Sequence, residues 1–262
     1  AAAGAGSLRR WAPAGGDPLV LHGHIGAIWD VALAPDGHTL ATAGKDRTLR
    51  LWDLERGAAL ATLRGHAGQV RAVAFTPAGG PVSVDLDGEL RVWDHGGGRR
   101  EGPAHDGLVS AVASARGRIV SAGRDGRVRG WDGATPGVLL HQHAAWVVSL
   151  ALSEDGRVLA SSDNTGVLLV STAPGAAPRE LHLGGIPAPL ALSSDGRWLV
   201  GGGMKPFVLD TQAGSLTHLP PSDIEINRVL VAPAGDRAVL SARGRALQLV
   251  TLASGAIEQL PS

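Results

Sequence analysis

The residues of this chain that could do chemistry form three sets of imidazole, hydroxyl, carboxylate and indole side chains. In each set the hydroxyl lies four residues before the aspartate, and the tryptophan lies six residues after it. A hydroxyl, a histidine and an aspartate are the groups of a hydrolase triad, in which the histidine takes the proton of the nucleophile. The sets are His24, Thr42, Asp46 and Trp52; His66, Ser83, Asp87 and Trp93; and His105, Ser121, Asp125 and Trp131.

The repetition of these sets favours a structural role over a catalytic one. A catalytic site occurs once in a chain, whereas this set occurs three times in tandem. Buried polar groups must find hydrogen-bond partners, because each unpaired group costs about 1–3 kcal/mol. We therefore expect three hydrogen-bonded structural tetrads and assign no catalytic residue.

The elements that hold these sets repeat along the whole chain. A short apolar alternation followed by a glycine turn recurs at intervals of 38 to 42 residues. After each glycine comes a second apolar run, a tight turn that often contains Asp-Gly, a third run and a fourth. Asp-Gly between apolar runs favours a type I′ hairpin turn. The repeated glycines are Gly37, Gly79, Gly117, Gly156, Gly196 and Gly235.

Four short strands in each unit of about 40 residues, with no helical periodicity between them, indicate an all-β fold, the β-propeller. The chain resembles the WD-repeat family, whose motif runs from a Gly-His pair to a Trp-Asp pair. His24, His66 and His105 precede their tryptophans by 28, 27 and 26 residues. In the fourth repeat His143 leads to Ser171 in place of tryptophan, and repeats five and six are recognised from strands and glycines alone.

This resemblance implies the bonding of each tetrad: the aspartate and the hydroxyl bind the histidine, and the tryptophan binds the hydroxyl. It also bears on two pairs of histidines with the spacing of metal ligands, His22 with His24 and His141 with His143. The second histidine of each pair is already needed by a tetrad. We therefore expect no metal and no cofactor.

The first 22 residues align with the later strands of a repeat, with Trp11 at the position of Trp52. We expect them to supply strands two to four of a seventh blade, whose innermost strand lies upstream in a longer chain. The six complete repeats fall at about 23–64, 65–103, 104–141, 142–182, 183–221 and 222–262. Seven blades of four antiparallel strands in one domain, 1–262, are the expectation, and six blades are the alternative.

Composition narrows the classes of partner. The chain has 24 basic and 24 acidic residues, so its formal net charge is zero. Nucleic-acid binders usually carry an excess of basic residues, which this chain does not have. It has no cysteine, which excludes disulfides and thiolate zinc sites. No apolar run approaches the roughly 18 residues of a membrane helix. We expect a cytoplasmic, bacterial-type protein that binds neither nucleic acid nor membrane.

Residues that depart from the repeat consensus on the top face, where the inner strands begin, are candidate partner contacts. Trp29 is one of them, because its counterparts are Arg71, Ser110 and Val148. Exposed tryptophan and arginine dominate the energy of interfaces. Packing of Trp146 between blades and simple solvation of the arginines are the alternatives. The candidates are Trp29, Asp30, Lys45, Arg71, Arg124 and Trp146.

The predicted function is a non-catalytic scaffold or sensor module. It would dock a protein or peptide on the top face and regulate an effector domain elsewhere in the full-length chain, so the partner could be another domain of that chain. The alternative is a propeller enzyme, or a small-ligand or metal binder, that uses the central channel. The sequence does not predict the oligomeric state.

Overall fold

All regular structure in the described part of the chain is β-strand. The computed structural model describes residues 2–3, 5–10, 19–76, 79–94, 97–103, 105–115, 118–131, 137–185, 189–232, 234–242, 245 and 247–259. Trp11 and Gly117, which the repeat alignment uses, lie outside these residues. Within the same ranges, no helix has the length and apolar character needed to cross a bilayer.

The first sheet contains six strands in sequence order. They are Ala2–Ala3 (β1), Ala5–Arg10 (β2), Leu19–Leu33 (β3), Thr39–Gly44 (β4), Leu49–Asp53 (β5) and Ala58–Leu63 (β6). The long strand β3 pairs with two neighbouring strands over different parts of its length. Its residues 19–22 pair with β2, whereas its residues 28–33 pair with β4. β3 is therefore the last strand of an N-terminal group and the first strand of the group that follows.

Five four-stranded sheets follow, each built from four consecutive antiparallel strands. The second contains Val70–Phe75 (β7), Pro81–Asp85 (β8), Glu89–Asp94 (β9) and Gly97–Pro103 (β10). The third contains Val109–Ala115 (β11), Arg118–Gly123 (β12), Arg127–Trp131 (β13) and Val138–Gln142 (β14). The fourth contains Val147–Leu152 (β15), Leu159–Asp163 (β16), Val167–Ser171 (β17) and Arg179–His182 (β18).

The last two sheets have the same order of strands. The fifth contains Leu190–Leu192 (β19), Trp198–Gly201 (β20), Phe207–Asp210 (β21) and Leu216–His218 (β22). The sixth contains Ile226–Val231 (β23), Arg237–Ala242 (β24), Gln248–Thr251 (β25) and Ala256–Gln259 (β26). The prediction of an all-β chain made of four-stranded antiparallel units is confirmed.

Burial along the strands explains the hydrophobic pattern. In the fourth sheet the inner strand β15 alternates between buried and half-buried residues, while every residue of the next strand, β16, is buried. A strand packed on both faces has a continuous run of apolar or small residues. A strand with one face nearer to solvent alternates between apolar and polar residues. The middle strands are therefore the ones that are packed on both faces.

The chain forms two compact units, each with its own apolar clusters. The first is Ala1–Ile119 with Trp131–Gly137, and the second is Val120–Gly130 with Val138–Ser262. In the first unit, Leu8 and Leu21 from the N-terminal strands pack with Leu40 and Trp52. The N-terminal strands thus share a core with β4 and β5 of the same sheet.

The repeated glycines hold the turns between the first and second strands. Gly37, Gly79, Gly156, Gly196 and Gly235 all have φ between 69° and 84°. This left-handed conformation is one that residues with a Cβ avoid and glycine adopts freely. The regular glycine spacing is therefore a requirement of the backbone at these turns.

The turn between the second and third strands differs from the type I′ turn favoured by the sequence. Gly88, Gly126 and Gly166 have positive φ, and each N–H donates to the carbonyl three residues earlier. A type I′ turn needs positive φ at both central residues, yet Arg47 is the sole non-glycine residue with positive φ in the described chain. The turn is therefore an ordinary turn that ends in one left-handed residue.

Candidate functional site

The first tetrad forms a continuous chain of hydrogen bonds. His24 Nδ1 lies 3.0 Å from Asp46 Oδ1, and His24 Nε2 lies 2.7 Å from Thr42 Oγ1. Trp52 Nε1 donates to the same Thr42 oxygen at 2.8 Å. Since the carboxylate accepts from Nδ1, a neutral ring accepts the Thr42 proton at Nε2. The indole therefore donates to the hydroxyl, the hydroxyl donates to the imidazole, and the imidazole donates to the carboxylate, which only accepts.

Burial separates this triad of groups from solvent. Thr42 is fully buried and His24 is 7% exposed, so no substrate can reach the hydroxyl. Burial works to raise the pKa of Asp46, but hydrogen bonds from Ile25 N–H, Thr48 and His24 bring the net pKa below its usual value. The carboxylate stays ionised and anchors the histidine.

In the second tetrad the carboxylate comes from Asp85 instead of the expected Asp87. His66 Nδ1 lies 3.0 Å from Asp85 Oδ2, and His66 Nε2 lies 2.7 Å from Ser83 Oγ. Trp93 Nε1 donates to Ser83 at 2.8 Å. Asp87 is exposed, and the assignment of Asp87 to this tetrad is wrong.

The physical reason is the space beside the histidine ring. The residue two positions after the tetrad hydroxyl is Gly44 in the first set and Asp85 in the second. A Cβ placed on Gly44 would lie 2.3 Å from His24 Nδ1 and 2.7 Å from Asp46 Oδ1. Glycine therefore leaves room for a carboxylate from the turn, whereas an aspartate at that position fills the room with its own.

Burial of Asp85 is compensated by several donors. Burial works to raise its pKa, but hydrogen bonds from His66 and from the N–H groups of Glu89 and Gly68 bring the net pKa below the usual value. Asp85 is fully buried. Its carboxylate therefore organises the turn as well as the histidine.

The third set has the burial expected of a structural tetrad. His105, Ser121 and Trp131 are all buried. Asp125 accepts from Arg127 N–H at 3.1 Å, and its side chain is 7% exposed. These residues belong with the structural tetrads by position and by burial.

The fourth repeat replaces the missing tryptophan with a second histidine. His143 Nε2 lies 2.8 Å from Ser161 Oγ and its Nδ1 lies 3.2 Å from Asp163 Oδ2. His141 Nδ1 lies 2.7 Å from the same Ser161 oxygen, and its Nε2 lies 2.8 Å from Ser171 Oγ. His141 thus supplies the N–H that the indole supplies in earlier repeats, and it fills the gap that Ser171 leaves.

Both histidines of this network favour the neutral form. Burial and, to a smaller extent, the charge of His143 lower the pKa of His141 from 6.5 to about 4. Burial also lowers the pKa of His143, although Asp163 opposes the shift. The sequence signal for this network was the pair of histidines two residues apart, combined with the loss of the tryptophan.

Trp29 and Arg71, two of the predicted partner contacts, lie together in the first unit. The Arg71 guanidinium lies 5.7 Å from the centre of the Trp29 ring, and the tryptophan is 40% exposed. Each is the extra residue of a β-bulge, since the register shifts between Ile28 and Asp30 and between Val70 and Ala72. A bulge redirects a side chain without breaking the sheet. Sequence periodicity does not show these bulges.

A second pair of the same chemistry lies in the second unit. The Arg124 guanidinium lies 4.5 Å from the centre of the Trp146 ring, and Trp146 is 50% exposed. The backbone carbonyl of Trp146 accepts the N–H of Asn164 at the start of the inner strand. Trp146 therefore lies half open to solvent, as a partner contact requires, and packing between blades was the alternative.

Two other predicted contacts lie near the first pair. Lys45 is exposed, and its N–H donates to the Ala27 carbonyl at 2.9 Å, beside the start of the inner strand. Asp30 instead accepts the Val73 N–H at 3.0 Å. Its carboxylate is thus engaged with the next sheet, so we remove Asp30 from the candidate partner contacts.

Ser149 makes the equivalent bond in the second unit, where its hydroxyl accepts the Leu190 N–H at 2.9 Å. Both Asp30 and Ser149 lie six residues after their tetrad histidine. A polar side chain at this position therefore joins one sheet to the next.

One group in the described part of the chain has the residue types of a metal site: His66, Asp85 and Glu89. Both ring nitrogens of His66 are already engaged in the second tetrad. Glu89 forms an ion pair with Arg91 at 2.6 Å. A metal ion would have to displace these bonds.

The chain matches the family model described as "WD domain, G-beta repeat" at residues 17–53, 57–94, 99–132 and 135–169, together more than half of its length. It is 34% identical to Telomerase protein component 1 of Rattus norvegicus over 43% of this chain and 4% of that protein. It is 32% identical to Nuclear distribution protein PAC1 of Arthroderma benhamiae over 58% of this chain and 37% of that protein.

A third relative is Nuclear distribution protein nudF of Aspergillus niger, 29% identical over 56% of this chain and 36% of that protein. The chain thus spans between 4% and 37% of the length of these relatives. They come from a mammal and from fungi, so the expectation of a bacterial-type chain finds no support in them. From the four family matches, and from the tetrads that tie its four-stranded sheets together, we conclude that the chain belongs to the WD-repeat family.

Proposed function

We propose that this chain is a non-catalytic module that binds a protein or peptide on its top face and regulates an effector domain of a larger protein. One observation carries the proposal: two tryptophans at the starts of inner strands, 40% and 50% exposed, each carry an arginine over the ring. One pair lies in each compact unit.

The chemistry of these pairs suits recognition of another protein. Arginine and tryptophan are the residues most often found at the energetic centre of protein interfaces. An arginine stacked on an indole also loses less side-chain freedom on binding, because its orientation is already restricted. Neither tryptophan is demanded by the repeat, since in other repeats Arg71 and Val148 occupy the position of Trp29, and Ala27 and Gln69 occupy the position of Trp146.

The alternatives of a propeller enzyme and a small-ligand or metal binder have weaker support. The hydroxyls that resemble catalytic nucleophiles, Thr42, Ser83 and Ser121, are fully buried. Each also lies at the centre of a structural tetrad, where solvent does not reach it. Catalysis needs a nucleophile that contacts its substrate.

The relatives support a role within a larger protein. This chain matches 37% of a nuclear distribution protein and 4% of a telomerase component. In both cases the repeats form one part of a longer protein. We infer that the effector regulated here lies in another part of the full-length chain or in a bound protein.

Site-specific crosslinking tests this function. A photo-crosslinking residue is placed at Trp29 or Trp146 of the full-length protein in its native cells, and at Leu60, an exposed apolar residue of the outer strand β6, as the control. Adducts with one defined partner at the tryptophans, and none at Leu60, are expected. A Trp29→Ala, Trp146→Ala double variant that keeps its partner would refute the proposal.

We also propose that the repeats close as a ring of seven blades. Support comes from the N-terminal strands β1 and β2, which pair in sequence with the first part of β3. They have the order of strands two to four of a blade. An experimental structure of the full-length protein with six blades, and residues 1–22 outside the ring, would overturn this count.

A further inference from the structure

The pair of Arg124 and Trp146 borders a pocket of about 380 Å³ in the second unit. The pocket lies between the turn that carries Arg124 and the turn that carries Asn164 and Thr165, with Trp146 on the inner-strand side. Arg124, Trp146, Asn164 and Thr165 are all exposed. The pocket is therefore open to a partner in solution.

The cation–π contact of Arg124 uses none of its N–H donors. The guanidinium carbon lies 4.5 Å from the centre of the Trp146 ring, so the attraction acts between the charge and the ring. A guanidinium presents its N–H donors as a planar fork, which matches a carboxylate in two parallel hydrogen bonds. The contact therefore restricts the position of the Arg124 guanidinium and leaves its donors for a ligand.

The charge of Arg124 has no counter-ion among the described residues, none of which forms a salt bridge with it. Asp125 lines the same pocket, but its side chain is 7% exposed and lies 3.8 Å from an Arg127 nitrogen. The acid nearest in sequence is thus turned inward. Among the described residues, the positive charge at the pocket therefore has no salt-bridge partner.

The remaining polar groups of the pocket are compatible with an acid. Thr165 gives its hydroxyl proton to Asp163 at 2.7 Å, so it presents no further donor. Asn164 is exposed, and its carboxamide can donate to an incoming oxygen. The exposed face of Trp146 offers an apolar surface beside these donors.

We propose that this pocket receives a glutamate or aspartate of a peptide partner, with an apolar residue of that peptide lying on the Trp146 ring. The inference rests on the proposed function and specifies its partner. A single arginine fork matches one carboxylate, whereas phosphorylated motifs are usually recognised by clusters of arginines. A carboxylate peptide is therefore the occupant that the pocket fits.

Binding of the full chain to immobilised peptide libraries tests the proposal. The libraries are random except for a fixed central pair of one variable residue followed by leucine, with glutamate, aspartate, glutamine, lysine or phosphoserine as the variable residue. We expect the glutamate and aspartate libraries to retain about tenfold more protein than the glutamine library. Arg124→Gln should abolish that preference, and Arg124→Lys should reduce it.

Arg237→Gln is the matched control, because Arg237 is an exposed arginine of the second unit that lies outside the candidate partner contacts. It should keep the preference for acidic peptides. The inference is overturned by an Arg124→Gln protein that keeps the preference, by phosphoserine binding without a preference for glutamate over glutamine, or by no peptide binding at all. Loss of crosslinked partner in Trp146→Ala, with no acidic preference, would leave the proposed function standing and remove this inference alone.

Discussion

Three of the tetrad histidines make the same two bonds, one to a hydroxyl and one to a carboxylate, although the carboxylate comes from two different positions. Asp46 reaches His24 from the turn, whereas Asp85 and Asp163 reach His66 and His143 from the end of the second strand. What the repeat requires is a carboxylate at Nδ1. The residue that supplies it can change.

The second tetrad offers a matched pair of variants. Asp85→Asn should lower the free energy of unfolding by about 2–3 kcal/mol, because a buried histidine loses its charged partner. Asp87→Asn should change it by less than about 0.5 kcal/mol, as is usual for an exposed residue. Urea denaturation of both variants measures the difference, and a larger loss in Asp87→Asn would restore the original assignment.

The fourth repeat should make stability depend on pH. An unfolded His141 binds a proton below pH 6.5, but the folded protein binds it only near pH 4. The unfolded state therefore holds more protons between these values, and stability falls as the pH drops from 6.5 to about 4. At about 1.4 kcal/mol per unit, the loss from this one group is about 3 kcal/mol.

The variant His141→Gln should flatten this pH dependence, since a carboxamide can bond both Ser161 and Ser171 without titrating. His182→Gln is the control, because the His182 side chain is 73% exposed. Urea midpoints between pH 7.5 and 4 give the two slopes. An unchanged slope in His141→Gln would show that His141 does not cause the loss.

At the scale of strands and turns, small departures from regular geometry position the candidate site. The bulges at Trp29 and Arg71 turn these side chains to one cation–π pair. Asp30 and Ser149, one residue beyond the equivalent position, face the next sheet and bond its backbone. In the first repeat, one residue of the inner strand, Trp29, thus lies in the candidate site, and its neighbour Asp30 bonds the next sheet.

The turn of the first repeat contains a strained residue. Arg47 has φ of 64°, at the position that Gly88, Gly126 and Gly166 occupy in the next three repeats. Because a left-handed conformation is costly for a residue with a Cβ, Arg47→Gly should raise the free energy of unfolding by about 0.5–1 kcal/mol. Thermal and urea unfolding measure this gain.

The reverse substitution at the next repeat is the control. A Cβ on Gly88 would lie 2.7 Å from the Gly107 carbonyl oxygen, so Gly88→Ala should destabilise the protein by more than about 1 kcal/mol. If Arg47→Gly gave no gain while Gly88→Ala was costly, the strain at Arg47 would be relieved by contacts of its side chain.

At the scale of the whole molecule, charge balance limits the partners. The chain has 24 basic and 24 acidic residues. It therefore has no excess of basic side chains that could neutralise DNA phosphates and release their counter-ions. Short duplex DNA should therefore show no shift with the protein in low-salt electrophoresis. A shift that weakens as salt is added would contradict this prediction and point to a local basic surface.

The sequence was sufficient for the parts of the fold that repeat. The alternation of apolar and other residues identified the strands. The regularly spaced glycines identified the turns, because those turns need a residue with positive φ. It could not choose between Asp85 and Asp87, because the two lie on opposite sides of one tight turn. Nor could it join His141 to Ser161, since these residues come from different sheets. Bulges at Trp29 and Arg71 depend on register, which periodicity does not record.

The bond between His141 and Ser161 changes what counts as an exchangeable piece of this protein. In the first two repeats the indole and its hydroxyl lie in one sheet, so each such bond could be duplicated or transplanted with that sheet. In the fourth repeat the donor lies on β14 of the preceding sheet. Recombination that inherited the fourth sheet alone would leave Ser161 without its donor. The fourth repeat is therefore not an independent unit. It keeps this bond only when it is transplanted together with β14.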